Sequence, residues 1–429
     1  MRDLEYLGNA VLSAPVTFIS KAVFGKTPYW RQYFWNKWGF PAKELESDLA
    51  GKKSIWISAI SGGEITQSVS FCRSVRQALQ GYKTVLSTES QDAFAFAAGI
   101  KMADHIIDPP WDISWPVRRA VKKIHPAAII HVENAYYPVL LREAKKMGVR
   151  NILISARMND SVLRGQLVSR RARQMRFFEY LDKIGAKTEA DKENFIKLGC
   201  DGNKISVLGD LRYDLEYLYM NEYERNELKS KLGFLNSDKI FMAGSIHSVE
   251  FELVVSAFIK ASAKVPDLKM IIAPRWAHEI PDLEWILKGK GLSFRFRKGV
   301  PGPKEAKVLI LNTFGELARV YGVSDIIYIG NSIIPINERG AGHNIFEALV
   351  HGRPIIFGNF MNMWRGIVDE IKNVYPQCEV HSEEEMARAI CGLIGDADIS
   401  ARLSSIEKCI SSKHSGTVKR YVDFVKENC

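Results

Sequence analysis

A rhythm of short apolar runs, each followed by a stretch of helical character, occurs twice along the chain and limits what it can fold into. In the first half the runs fall at 54–59, 84–87, 105–108, 127–132, 151–155, 182–186 and 205–208. Most are continuously apolar, as strands buried on both faces are, and their alternation with helices predicts a parallel sheet covered on both sides. A more polar stretch, 213–237, reads as linking helices. The rhythm then restarts at 239–243, 269–273, 292–296, 308–311, 325–329 and 354–357. The predicted class is α/β, with two open Rossmann-like domains in tandem over 46–212 and 238–429, and a helical, membrane-proximal segment over 1–45. A chain of 429 residues is long enough for two such cores. Such domains are expected to face each other across a cleft, with ligands beyond the carboxyl ends of the strands, which makes the residues at those ends the candidates for chemistry.

The first run ends in Ser61-Gly62-Gly63-Glu64. A carboxylate at this strand-to-helix turn suits a general base, and it equally suits a helix N-terminus, where the macrodipole favours negative charge. The fourth run ends in Val132-Glu133, and the fifth in Ser155-Ala156-Arg157 with Ser161 close behind, so the topology brings Glu64, Glu133 and Arg157 to one rim. Arg164, Arg170, Arg171, Arg173 and Arg176 follow. Arginines of this density suit a phosphorylated acceptor, or simply a solvated helix face. In the second half, Ser245-Ile246-His247 closes one run, Pro274-Arg275 the next, and Thr313-Phe314-Gly315-Glu316-Leu317 follows another. His247 reads as a ligand-binding group, a helix cap or a satisfied core histidine. Gly340 to Glu347, through Gly342, His343 and Asn344, combines glycines that let backbone N–H groups approach a phosphate with polar side chains able to bind a ribose.

The net charge of +10 and isoelectric point near 9.1 predict attraction to something anionic, without saying what. The six cysteines show no paired spacing, which argues against a structural zinc or a disulfide framework and for a reducing compartment. The apolar N-terminal stretch 4–24 is broken by Pro15 and Lys21 and falls short of the roughly 18 continuous apolar residues of a membrane span. Beyond it, Tyr29, Trp30, Tyr33, Phe34, Trp35, Trp38 and Phe40 interleave with Lys26, Arg31 and Lys37. That mixture suits the headgroup layer of an anionic membrane, or a helix that docks its rings on the domain core. The aromatic and basic residues form no nucleic-acid-binding motif, so no nucleic-acid partner is expected.

Taken in order, these motifs resemble those of the 3-deoxy-D-manno-octulosonic acid (Kdo) transferases of lipopolysaccharide synthesis, from about Ile55 to near residue 390. Ser61-Gly62-Gly63-Glu64 is similar to the family's Ser-Val-Gly-Glu, and Glu133 with Tyr137-Pro138 to Glu-Thr-Glu-Leu-Trp-Pro. Ala156-Arg157 with Ser161 resembles the Asn-Ala-Arg segment, and Ser245, His247 and Glu250 keep Ser-x-His-x-x-Glu. Pro274-Arg275 stands for Pro-Arg-His, Gly315-Glu316-Leu317 for Asp-Thr-x-Gly-Glu-Leu, and Gly342-His343-Asn344 with Glu347 for Gly-His-Asn-x-x-Glu. The resemblance implies the GT-B fold and an enzyme that moves Kdo from CMP-Kdo to a lipid A precursor at the cytoplasmic face of the bacterial inner membrane, inverting the donor carbon. It implies Glu64 as catalytic base, an acceptor side of Gly63, Glu133, Arg157 and Ser161, and a nucleotide-sugar side of Ser245, His247, Glu250, Arg275, Gly315, Glu316, Gly342, His343, Asn344 and Glu347. No cofactor and no metal are expected, and Asp396-Ala397-Asp398 reads as a polar turn. The chain departs from the pattern at Ala135, Tyr137, Trp276 and Asn312, and has Gly330-Asn331-Ser332 for Gly-Gly-Ser. Those departures keep two alternatives open: a GT-B enzyme for another nucleotide sugar, transferase or epimerase, and a non-catalytic membrane-associated homologue.

Overall fold

The computed structural model describes residues 28–134, 137–158, 160–168, 177–213, 218–299, 302–303, 305–336, 342–394 and 396–429. The apolar stretch 4–24, Ala135 and four of the five clustered arginines (170, 171, 173 and 176) lie outside these residues, as do Gly340 and the side chain of Ser161. The chain divides into two compact units, one of residues 1–214 and 414–429 and one of residues 215–413.

The first unit is built on seven strands: β1 (Lys53–Ser58), β2 (Tyr82–Ser87), β3 (His105–Ile107), β4 (Pro126–Val132), β5 (Arg150–Ala156), β6 (Lys183–Ala186) and β7 (Ile205–Val207). They pair in parallel in the order β3-β2-β1-β4-β5-β6-β7. Successive β1 side chains serve opposite layers. Ile55 and Ile57 join Ile65, Val69, Cys72, Ile130 and Ile154 on one face, while Trp56 joins Val85, Val117, Val121 and Ile129 on the other. Trp56 is fully buried and satisfies its indole by donating to Ser87 Oγ at 2.9 Å. Strand order reverses at β1, which lies between β2 and β4, and in open α/β sheets that reversal is where a crevice opens.

The second unit repeats the plan with β8 (Lys239–Ile246), β9 (Leu268–Pro274), β10 (Phe294–Phe296), β11 (Val308–Ile310), β12 (Ile326–Ile329) and β13 (Ile355–Ile356), in the parallel order β10-β11-β9-β8-β12-β13. The reversal here is at β8. Every apolar run picked out in the sequence overlaps one of these strands.

The domain boundaries need two corrections. Residues 414–429 do not belong to the second unit. The apolar face of the helix Thr417–Glu427 (Val418, Tyr421, Val422 and Val425, at helical spacing) is part of the first unit's core. Tyr421 donates its hydroxyl toward Gly209 O at 2.8 Å and Gly185 O at 3.1 Å, and a Cβ on Gly185 would stand 2.5 Å from the Tyr421 ring. The stretch 213–237 is not merely a linker either. Its helix Glu222–Lys231 starts with a reciprocal capping box of Asn221 and Glu224. Arg225 then bonds Gly322 O at 3.1 Å and Asp325 at 3.2 Å, and Lys229 donates to Asn236 O at 2.9 Å, which fastens the helix to the second unit.

Candidate active site

Beyond β1 in the first unit, Ser61 caps the helix Gly62–Gln67 and Glu64 occupies its third position. The Ser61 hydroxyl accepts from Glu64 N at 3.2 Å, and Glu64 Oε2 accepts from Ile60 N at 2.6 Å and Ser61 N at 3.4 Å. The carboxylate is 2% exposed and rigidly oriented, so both sequence readings of Glu64 meet in one residue: it is a helix cap, and it sits at the sheet's reversal point. A Cβ on Gly63 would meet only Ser61 Oγ, at 3.9 Å, so this residue leaves the approach to the turn unobstructed.

Glu133 follows β4 with φ +63°, a left-handed conformation that costs a non-glycine residue strain. It accepts from Gln67 Nε2 at 2.7 Å and pairs with Arg157 Nε at 3.2 Å and Lys187 Nζ at 3.4 Å. Burial pushes its carboxyl up, but Lys187, Arg157 and Arg212 outweigh burial and hold it below the ordinary glutamate range. Lys187 is a residue that the sequence motifs do not mark. It stands directly after β6, is 5% exposed, lies 3.5 Å from Asp210 Oδ2, and its ammonium has no hydrogen-bond partner among the described residues. Burial lowers its pKa against the pull of Asp210. Asp210 is in turn held by Arg212 Nε at 2.9 Å. Glu133, Arg157, Lys187, Asp210 and Arg212 therefore form one charged network at the ends of β4 to β7, with three cations for two carboxylates. The strand-end rule that found Glu133 also finds Lys187 when applied to β6.

In the second unit, Ser245, the penultimate residue of β8, is also left-handed at φ +56°, and His247 forms the N-cap of the 15-residue helix Ser248–Ser262. The His247 ring lies 5.5 Å from that of His343 and 6.3 Å from that of Trp276. Arg275, after β9, has its guanidinium 5.2 Å from the Trp276 ring. Buried His247 Nδ1, His343 Nε2 and Glu279 Oε2 all lack hydrogen-bond partners among the described residues, a concentration of unmet polar atoms that suits a polar ligand. Burial, then Arg275 and His247, lower the His343 pKa to about 3, and burial lowers that of His247 against Glu279. Both rings are neutral near pH 7.

Four other residues expected on the nucleotide side are engaged by the protein itself. Glu250, fully buried, accepts from Tyr328 Oη (2.7 Å), Asn331 N (2.6 Å), Ser332 N (3.1 Å) and Ile333 N (3.0 Å), so it fixes the loop after β12 instead of facing a ligand. Glu316 forms a two-bond pair with Arg297 at 2.9 and 3.1 Å and accepts from Thr313, and Gly315 just before it takes φ +84°. Asn344 accepts from Phe346 N at 3.1 Å and donates to Glu347 at 3.0 Å, just before the turn Phe346–Leu349. Gly342 is held by its N–H to Asn331 O at 2.8 Å, and a Cβ there would stand 2.4 Å from Met361 Sδ. Asp396 Oδ1 accepts from Ile399 N at 3.0 Å and so opens the helix Ala397–His414, not an isolated turn. Among the described residues no helix is long and apolar enough to cross a membrane.

Residues 32–215 match the family model described as 3-deoxy-D-manno-octulosonic-acid transferase. The chain is 24% identical to a 3-deoxy-D-manno-octulosonic acid transferase of Haemophilus influenzae over 416 residues, 94% of this chain and 92% of that protein. It is 25% identical to a bifunctional glycosyltransferase/methyltransferase of Fusobacterium nucleatum over 80% of its own length, and spans about half, 53%, of that relative. Among solved structures, the UDP-GlcNAc 2-epimerase of Neisseria meningitidis superposes with a TM-score of 0.59 at 12% identity, over 87% of this chain and all (100%) of that one. The fold is GT-B, two Rossmann-like units in one chain. By sequence, over its first unit and most of its length, the chain resembles the Kdo transferases.

Proposed function

We propose that the chain is an inverting, metal-independent glycosyltransferase that moves Kdo from CMP-Kdo to a lipid A precursor, with Glu64 as general base. The observation that carries this reading is the position of Glu64: a buried, rigidly held carboxylate at the reversal point of the first sheet, within the residues that match the Kdo transferase model. In the reaction Glu64 takes the proton from the acceptor hydroxyl as its oxygen attacks the anomeric carbon, and the bond to the CMP phosphate breaks. The excess cation of the Glu133 network, Lys187 above all, offers a counter-charge to an anionic sugar or to negative charge that develops during transfer. On the donor side Arg275 and the N-terminus of the helix Ser248–Ser262, flanked by neutral His247 and His343, suit the departing nucleotide. An acceptor borne on a lipid places the work at the cytoplasmic face of the inner membrane.

The test is CMP release from freshly made CMP-Kdo, with and without tetraacylated lipid A precursor, by the wild type and Glu64→Gln. Acceptor-dependent release that disappears in the variant is the expected result. The half-exposed Trp276 at the end of β9, where the family's pattern has histidine, favours one second reading, a changed nucleotide sugar on the same fold. CMP binding without release would select it, and the donor would then be sought among other nucleotide sugars.

A further inference from the structure

The first unit carries a surface cluster of aromatic rings. The helix Pro28–Lys37 runs into a turn in which Gly39, at φ +75°, lies so close to the helix Ser114–Ile124 that a Cβ would stand 2.2 Å from Pro116 O. This contact brings Trp38 and Phe40 beside Trp115, with ring centroids 6.0 and 6.2 Å apart, and Trp35 lies 5.6 Å from Phe40. Trp35 and Trp115 are 49% and 50% exposed, and Trp38 is 37% exposed. Large rings left this open together are not what a soluble surface needs. These three indoles do not dock on the domain core.

The rings are not arranged as a purely apolar patch. The Arg119 guanidinium lies against two of them, 4.0 Å from the Phe40 centroid and 3.9 Å from that of Trp115. Among the described residues it forms no ion pair, so its N–H groups are not spent on a carboxylate. Its helix, SWPVRRAVKKI, carries Arg118, Arg119, Lys122 and Lys123 and no acidic residue. Arg118 is paired with Glu143 and Lys123 with Glu46, while Lys122, like Arg119, has no carboxylate partner among the described residues. Amphipathic rings together with unneutralised cations match the headgroup layer of an anionic bilayer, where indoles take the interfacial depth and guanidinium meets phosphate.

We infer that Trp35, Trp38, Phe40 and Trp115, with Arg119 against two of the rings, form the surface by which the chain docks on an anionic membrane. The inference rests on the reading of a lipid-borne acceptor for its purpose. Its test needs neither donor nor acceptor, so the two can fail separately. Full-length protein is floated with vesicles of phosphatidylcholine alone and of phosphatidylcholine with phosphatidylglycerol, and with soluble inorganic phosphate as competitor. Binding to the anionic vesicles is expected, with a blue shift of tryptophan emission and no displacement by millimolar phosphate. Arg119→Gln should weaken it roughly five-fold, the worth of one cation at a charged surface, and Trp115→Ser should weaken it at least as much. Both variants should keep the wild-type melting temperature and CMP affinity.

Anionic-vesicle binding unchanged when Arg119→Gln and Trp115→Ser are combined in one chain would overturn the inference. Equal binding to neutral and anionic vesicles would overturn it too. So would a dimer in light scattering that dissociates on Trp115→Ser, which would make the patch a contact between two copies. Displacement by phosphate would mark Arg119 as a small-anion site and likewise sink it.

Discussion

Glu64 combines a structural and a proposed chemical duty, and the two can be separated because glutamine satisfies only the first. At the third position of a capping box, Gln accepts the same backbone N–H groups through its amide oxygen, whereas it cannot take a proton from an acceptor hydroxyl. Glu64→Gln is therefore expected to lower CMP release by ~10²-fold or more with an unchanged melting temperature. Glu64→Ala should lose the same activity and in addition about 1 kcal/mol of cap stability, seen as a fall of ~2–4 °C in a thermal scan. If Gln lowers the melting temperature as Ala does, the two duties are not separated and the assignment of a base fails. Glu250 poses the converse case, since its carboxylate is spent on Tyr328 and on the backbone of Asn331, Ser332 and Ile333. In Glu250→Gln one end of the side chain becomes an NH₂ aimed at backbone N–H groups, which cannot accept its protons. The expected result is a loss on the order of 2 kcal/mol by chemical denaturation, and weaker CMP binding by calorimetry as the loop after β12 loosens. Wild-type affinity in this variant would detach the loop from the nucleotide.

At the scale of elements, the strands were legible because a strand buried on both faces writes a continuous apolar run, and every run did become a strand. The rim residues after β1, β4 and β5 were legible for the same reason, since topology fixes where a strand ends. Lys187 escaped only because the residue just past its short strand, Lys183–Ala186, belongs to no motif. The destination of the helix Thr417–Glu427 was not legible at all. Its pattern of Val418, Tyr421, Val422 and Val425 says that one face is buried, but a local pattern carries no information about which core receives it. The structure gives it to the first unit, and that makes a sharp expectation. Removing residues 415–429 should unfold the first unit, exposing the face of the sheet that holds Ile55, Ile57 and Ile130, while the second unit keeps its secondary structure. Hydrogen exchange followed by mass spectrometry would show protection lost in β1, β4 and β5 and kept in β8, β9 and β12. The milder Tyr421→Phe removes only the hydroxyl that reaches Gly209 O, and should cost about 1 kcal/mol. Uniform loss of protection across both sheets would contradict the assignment.

For the molecule as a whole, the GT-B fold narrows the chemistry less than the motifs do, since an epimerase shares it. What the whole chain does determine is its response to acid. His131 lies inside β4, fully enclosed, 3.3 Å from Asn151 Oδ1, and burial lowers its pKa from 6.5 to about 4. His343 and His351 are lowered in the same sense, to about 3 and about 4, again chiefly by burial. Each is neutral in the folded chain at a pH where the unfolded chain has already bound a proton. The stability they contribute is therefore complete above the unfolded value and is lost as pH falls from 6.5 toward the folded values. Asp112, pushed up to about 7 by burial, takes up its proton over much of the same range and offsets part of this loss. A pH profile of the wild type alone is thus a sum of opposed terms, and the difference between two chains isolates one of them. His131→Gln keeps an amide that can bond Asn151 and removes the titration. Between about pH 7 and pH 5 the wild type should lose on the order of 1–2 kcal/mol more than the variant, read as melting curves that converge as the solution is acidified. Parallel profiles would mean that His131 binds its proton in the folded strand as readily as in the unfolded chain, and that β4 is not the sealed layer its burial indicates.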